Sequence, residues 1–444
     1  MIDLSPEVIT LLLFGGILVG VIMGYPLAIS VGAVGLLVGL LVFSPKIVGD
    51  MYYQRMFNQV TNYTLIAVPF FIFMGIMLER TGVAEQLYEA MYLVFGGLRG
   101  GLALTTILIG TIMAACVGVI AASVMMLAVI GIPAMLKRGY SKPLATGSVC
   151  AGGTLGILIP PSIMLVIYGP MANLGVGSLF FGAFMPGFLL SGLYMLYIIV
   201  FTLLKPSAGP AVPLEDRNVP LPTKLLLLLK SLVPPLLIIL AVLGSIFFGI
   251  AAPTEAAAVG ALAATVLAIA YRKFSMKALR ETALATIRHS GMILLLASLS
   301  FAFVGIFIRA HCGEVVSGFL LSAPGGKWGV FFVIMFICFI LGMFIDWIGI
   351  VFIMVPIITP IGAALGFDPL WFGMMICVNL QMSFLSPPFA YAIFFVKAAS
   401  PPEYGVETSD VIKGVIPFIV LIMIGLVLCI AFPQIILWLP GKML

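Results

Sequence analysis

Charge is what this 444-residue sequence has least of. Asp, Glu, Lys and Arg make up 8% of it against 63% hydrophobic residues, whereas a soluble domain carries roughly 25% charged residues. So thin a polar complement cannot cover a water-exposed surface, which excludes an ordinary soluble fold. Cysteine is sparse and scattered: Cys116, Cys150, Cys312, Cys338, Cys377 and Cys429 contain no CxxC pair. They read as small packing residues rather than as a disulfide or zinc framework. The two histidines, His289 and His311, fall at opposite membrane faces and make no metal pair. HExxH, GxGD and GxSxG are all missing, and one buried Asp makes no aspartyl dyad, so an intramembrane enzyme is not indicated. The N-terminus has Asp3 and Glu7 where a signal peptide would have a basic region, so the first apolar run is expected to stay as a helix. A net charge of +5 would suggest nucleic acid in a soluble protein. Here its distribution along the chain matters more than its sum, and no nucleic-acid partner is expected.

What is present is long apolar runs. They extend for 16 residues and more without the alternation of a β-barrel, long enough for helices across a hydrocarbon core of about 30 Å. Ten crossings are predicted, at 8–23, 27–43, 64–78, 144–168, 179–204, 231–250, 255–271, 291–308, 371–396 and 415–438. Two further stretches, 101–135 and 328–362, are too long for one span and are interrupted by Gly118 and by Gly342 and Gly349. Each reads as a re-entrant hairpin, since non-helical backbone at membrane depth is tolerated only inside protein or a wet cavity. With the N-terminus outside, only Lys46, Arg55, Arg309, Lys327 and Lys442 lie outside, and 16 of the 21 basic residues lie in the cytoplasm. A miscounted crossing would scramble that bias.

The chain repeats itself at an offset of 227 residues. Pro133 falls on Pro360, Gly139-Tyr140 on Gly366-Phe367, Cys150 on Cys377, Leu158 on Leu385 and Pro160-Pro161 on Pro387-Pro388. Gly75-Ile76 resembles Gly305-Ile306, and Gly100-Gly101 resembles Gly325-Gly326. The matches are few but sit at residues with backbone consequences. Residues 64–78 run inward and 291–308 outward, so the halves are inverted, the plan of alternating-access secondary transporters. Proline in mid-helix removes an N–H and clashes with the preceding turn, so both doublets are expected to break their helices. A simple kink would explain one doublet. Two at one repeat offset favour functional breaks that expose carbonyls to a cation and helix N-termini to a carboxylate.

The segments are therefore N-terminal scaffold helices at 1–63, a first repeat at 64–168, and connecting helices at 169–290. A second repeat follows at 291–397, then a C-terminal helix at 398–444. The connecting part includes a cytoplasmic linker at 205–230 and a basic arm at 272–290, which reads as an interfacial helix.

The run Gly152-Gly153-Thr154-Leu155-Gly156-Ile157-Leu158-Ile159-Pro160-Pro161-Ser162, preceded by Gly139-Tyr140, resembles the large M subunit of tripartite ATP-independent periplasmic (TRAP) transporters. Gly342-Met343-Phe344-Ile345-Asp346, followed by Pro356, Pro360, Gly366 and Pro387-Pro388, resembles that family's second repeat. The resemblance implies an all-α elevator-type importer in a bacterial or archaeal inner membrane. It further implies Na⁺ as coupling ion, an extracytoplasmic substrate-binding protein and a small four-helix membrane subunit as partners. The family often carries an S-G-S-like tip in the first hairpin; here that stretch is Cys116-Val117-Gly118-Val119-Ile120-Ala121-Ala122-Ser123.

Asp346 is the one acid at hairpin depth with no basic residue near it in sequence. A carboxylate there needs a partner, so a cation site competes with a hydrogen-bonded structural role. Na⁺ takes hard oxygen ligands. The expected set is Asp346, Ser383 and Ser386 with backbone at Gly118, Gly156, Pro160, Gly342 and Pro387. Ser123, Thr154, Ser162, Asn379 and Gln381 are the candidates for the substrate, although Ser and Thr often bond within their own helix and Asn and Gln often tie helix to helix. Thr254 with Glu255 reads as a helix start. The function expected is Na⁺-driven import of a small organic anion, a carboxylate. The alternative is an autonomous ion-coupled carrier that needs no binding protein.

Overall fold

The computed structural model describes residues 3–443 apart from 118, 119, 214, 216–218 and 389, and apart from the side chains of 114–117. The described residues contain helices and no strand, as lipid demands of a chain that must satisfy its backbone polar groups internally. Two apolar helices, α1 (Pro6–Ile22) and α2 (Leu27–Val42), precede the polar α3 (Pro45–Val60). A 3-10 turn at Tyr63–Ile66 leads into α4 (Ala67–Arg80) and the short α5 (Val83–Phe95). The first hairpin is α6 (Gly101–Val117) and α7 (Ile120–Leu136), followed by α8 (Lys142–Thr154), a 3-10 turn and α9 (Ile163–Ala172). Three long helices, α10 (Val176–Leu204), α11 (Leu221–Phe247) and α12 (Pro253–Ala270), lead to the second half.

That half repeats the first: α13 (Met276–Arg309), the short α14 (Cys312–Leu321), a hairpin of α15 (Gly326–Gly342) and α16 (Trp347–Ala364), then α17 (Pro369–Ser383) and α18 (Tyr391–Ala399). α19 (Thr408–Ala431) and the single turn α20 (Gln434–Leu437) follow. The repeat is written in the backbone. Both Pro160-Pro161 and Pro387-Pro388 are cis, Gly139 and Gly366 share φ of 77° and 74°, and Gly100 and Gly325 share positive φ of 73° and 96°. Glycine alone enters that region without a steric penalty, so these residues place the same turns in both copies.

Polar contacts join segments that the charge count expects on one side of the membrane: Arg80 pairs with Glu281 at 2.8 Å, and Lys142 Nζ donates to Gly405 O at 2.6 Å. Among segments expected on the other side, Trp328 stacks edge-on to Phe367, and α1 packs on α14. The linker is shorter than the sequence suggests, because α11 starts at Leu221. Its first part is docked at the basic end: Gly100 N–H donates to Gly209 O at 2.8 Å, Val212 N–H to Gly96 O at 2.7 Å and Ser141 N–H to Ala208 O at 3.0 Å.

Among the described residues seven helices are long and apolar enough to cross a membrane, fewer than the ten crossings predicted. α1 and α2 have 17 and 16 residues, about 25 Å at 1.5 Å per residue, just short of the hydrocarbon core. The two proline-broken crossings divide into pieces too short to count singly. α16 is one of the seven by length, but it is a hairpin arm. Residues 276–290 of the predicted interfacial arm at 272–290 are instead the start of α13, a single helix of 34 residues, since nothing between Met276 and Arg309 breaks it. The start of α12 also differs. Its N-cap is Ala252 rather than Thr254, and Glu255 accepts the Ala252 N–H at 2.9 Å.

The packing order builds one interlocked body from both halves. α6 and α7 pack on α8, and α15 and α16 on α17; across the halves α16 packs on α9, α18 on α7 and α8, and α19 on α8. α8 and α19 come close because both are glycine at the crossing: a methyl on Gly147 would lie 2.2 Å from Gly414 O, the small-residue contact that replaces hydrophobic association in lipid. Flanking this body are α4 and α13, which pack on each other and on α12, α2 and α3.

Candidate functional site: a cavity at four helix starts

The two breaks and two hairpins create helix beginnings in the middle of the protein. Four of these beginnings reach one cavity of about 260 Å³. Ile120 opens α7, Ile163 opens α9, Trp347 opens α16 and Tyr391 opens α18, and all four line it. Each half contributes one hairpin arm and one piece of broken helix, as an inverted repeat requires. The opposite wall comes from the flanking helices: Ile72 of α4, and His289, Met292 and Ile293 of α13.

A helix start presents unpaired N–H groups and about half a positive charge. No side chain caps α9 or α18. At α16 the cap is Asp346, whose Oδ1 accepts the Trp347 N–H at 2.9 Å. Asp346 lines the cavity and makes no ion pair among the described residues. The cavity thus offers several positive helix ends and one carboxylate, a combination suited to an anion together with a cation.

The sequence candidates divide in three groups. Thr154 donates to Ala151 O at 3.1 Å, Ser386 to Met382 O at 2.8 Å, and Ser162 to Ile157 O across its own break; these hydroxyls are already satisfied by backbone. Asn379 Nδ2 donates to Met335 O at 2.8 Å, tying α17 to α15. Ser123, Gln381 and Ser383 are different: all three are buried, and their side-chain polar atoms have no partner among the described residues, including both amide atoms of Gln381. A buried polar group left unpaired costs about 1–3 kcal/mol, so these are the positions where a ligand, ion or water gains most. Ser383 sits against Gly342, linking the second break to the second hairpin. Gly156 lies in the 3-10 turn of the first break, and Pro160 and Pro387 lie in the breaks themselves. Pro160 is buried, whereas Pro387 is exposed. Gly118 lies outside the described residues.

A second recess lies beside the cavity, one helical turn along α4 and α7. Ile76 follows Ile72 by one turn of α4, and Met125 follows Ala121 by one turn of α7; both line a larger, charged recess of about 780 Å³ with Glu79, Arg80, Glu85 and Lys273. The sequence reading missed Tyr391 and assigned His289 to a membrane face. The signal for His289 was present: with Met292 and Ile293 it holds i, i+3, i+4 spacing, so it shares their face of α13. What could not be seen was that this face meets the hairpins. Five described cysteines, at 150, 312, 338, 377 and 429, are buried and unpaired.

Residues 14–435 match the family described as the tripartite ATP-independent periplasmic transporter, DctM component. The C4-dicarboxylate TRAP transporter large permease protein DctM of Vibrio cholerae is 31% identical, over 94% of this chain and 94% of that protein. The ectoine/5-hydroxyectoine TRAP transporter large permease protein UehC of Ruegeria pomeroyi is 30% identical, over 96% and 97%. The fold resembles the crystal structure of the YdaH transporter of Alcanivorax borkumensis, with a TM-score of 0.62 at 14% identity, over 86% of this chain and 89% of that one. Seven helices of membrane-crossing length among the described residues, two hairpins, two matched proline breaks and a sequence match over nearly the whole length lead to one conclusion: this chain is a multi-pass membrane protein and belongs to the DctM-component family of TRAP transporters.

Proposed function

We propose that the chain is the large permease subunit of a Na⁺-driven secondary transporter of a bacterial inner membrane, importing a small organic carboxylate. An extracytoplasmic binding protein delivers the substrate, and a small four-helix membrane subunit completes the complex. The observation that carries this reading is the convergence of four helix starts on one cavity between the hairpin body and α4 and α13. Fixed N–H dipoles there attract a carboxylate without carrying a counter-charge of their own. Asp346 lines that cavity, and the unpaired oxygens of Gln381 and Ser383 near the second break, which are outside its lining, together with carbonyls at the breaks would supply the hard oxygen atoms that Na⁺ prefers.

Coupling follows from electrostatics. A carboxylate beside Asp346 is repelled unless a cation lies between them, so anion and Na⁺ favour each other's binding. The interlocked body carries all four helix starts, while α4 and α13 supply only one wall. Movement of that body along the wall, in the manner of an elevator, would carry the site intact from one membrane face to the other. The relatives' C4-dicarboxylate and ectoine substrates are both small carboxylates.

The test is uptake by proteoliposomes containing this chain and its small partner, with binding proteins loaded with succinate or ectoine outside. Accumulation is expected only with an inward Na⁺ gradient and a loaded binding protein. Uptake of free substrate at full rate would instead establish an autonomous carrier, and accumulation indifferent to Na⁺ would overturn the coupling.

A further inference from the structure

Helix N-termini attract any small anion. The cavity also needs a group that distinguishes a carboxylate and registers where the hairpin body stands against its wall. The wall formed by α4 and α13 contributes Ile72, Met292, Ile293 and His289. Three of these are hydrocarbon or thioether. Only His289 carries an N–H that can donate to a carboxylate oxygen.

His289 is free for this role. It is exposed, and among the described residues it makes no hydrogen bond or ion pair. Of the polar residues nearest it on α13, Thr286 donates to Thr282 O at 2.8 Å, and neither Arg288 nor Ser290, whose buried hydroxyl has no partner among the described residues, lines the cavity. Across the cavity stand Asp346 and Tyr391 of the hairpin body. An anion held by the starts of α7, α9, α16 and α18 therefore has His289 as its one donor from the opposite wall.

We infer that His289 binds the carboxylate of the transported anion from α13 when the site stands at the cytoplasmic end of its travel. The inference rests on the transport reading above and adds a residue to it. Its cytoplasmic placement follows from the distribution of basic residues along the chain together with the packing. The Arg80–Glu281 pair marks the basic end, and both Ile72 and His289 lie eight residues from that pair along their helices, about 12 Å. A charged recess lined by Arg80 and Lys273 lies one turn further along α4 and α7 on that side. Because His289 belongs to α13 and not to the moving body, it contacts substrate at one end of the cycle only. It therefore sets affinity on the release side and leaves capture from the binding protein unchanged.

The experiment compares wild type, His289→Leu and His289→Gln in proteoliposomes oriented with the cytoplasmic face accessible, using succinate and its monoamide, succinamate, as probes. Half-saturation is measured from each side by counterflow. His289→Leu is expected to raise the cytoplasmic half-saturation for succinate roughly tenfold, the loss of one charge-assisted hydrogen bond. It should also reduce the preference for succinate over succinamate, and leave half-saturation with loaded binding protein unchanged. His289→Gln keeps a donor and should recover part of the loss. Wild-type exchange, measured in parallel, reports on transport itself, whereas the ratio of variant to wild type reports on His289. Equal changes from both faces, or no change with either variant in correctly assembled complexes, would overturn the assignment.

Discussion

The Ser383 hydroxyl rests directly on Gly342: a methyl group at position 342 would lie 2.1 Å from Ser383 Oγ. This contact joins the end of α15 in the second hairpin to the end of α17 at the second break, and the hydroxyl has no hydrogen-bond partner among the described residues. Gly342→Ala should therefore displace Ser383 and cost about 1–3 kcal/mol of packing strain. If Ser383 serves Na⁺, the half-saturating Na⁺ concentration rises in Gly342→Ala and in Ser383→Ala. The double variant should be little worse than the worse single one, since both remove the same ligand. Additive effects on Na⁺ dependence would separate the two residues.

Asp346→Asn retains size and the cap on α16 but removes the charge. Transport should then require far more Na⁺, or cease, while the complex with the small subunit stays intact. Unchanged dependence on Na⁺ would reduce Asp346 to a helix cap.

Replacing Pro160-Pro161 or Pro387-Pro388 with Ala-Ala allows the helix to continue through the break. Either change should abolish Na⁺-coupled uptake in a chain that still inserts, because the continued helix recovers the carbonyls and N–H groups that face the site. Normal uptake in both variants would make the breaks packing features.

Sidedness is checked with single cysteines at two exposed positions, Lys137→Cys and Lys327→Cys. In intact cells a membrane-impermeant thiol reagent should label position 327 and spare 137, as the distribution of basic residues requires. The reverse pattern would invert the whole arrangement.

Most of the fold was legible in the sequence, for reasons that can be named. Apolar run length identified six of the seven membrane-length helices, glycine-interrupted double-length runs identified the two hairpin stretches, and proline doublets at one offset located both breaks, because each depends on local backbone chemistry alone. The same locality explains where the reading fell short. α13 swallowed its predicted interfacial arm because an amphipathic start and an apolar continuation need no break between them. Ser123, Gln381 and Ser383 could not be told from Thr154, Ser162 and Ser386 by residue type. Whether a hydroxyl finds a carbonyl in its own turn or is left unpaired depends on rotamer and neighbours. Above all, residues 72, 120, 163, 289, 346 and 391 share one cavity only because two inverted halves interlock against α4 and α13. The sequence by itself determined that four helices must start at mid-depth, through prolines and glycines acting on their own backbone. That these four starts line one cavity together with His289 was decided by tertiary packing, since it depends on contacts of α7 with α18 and of α9 with α16, segments more than 170 residues apart.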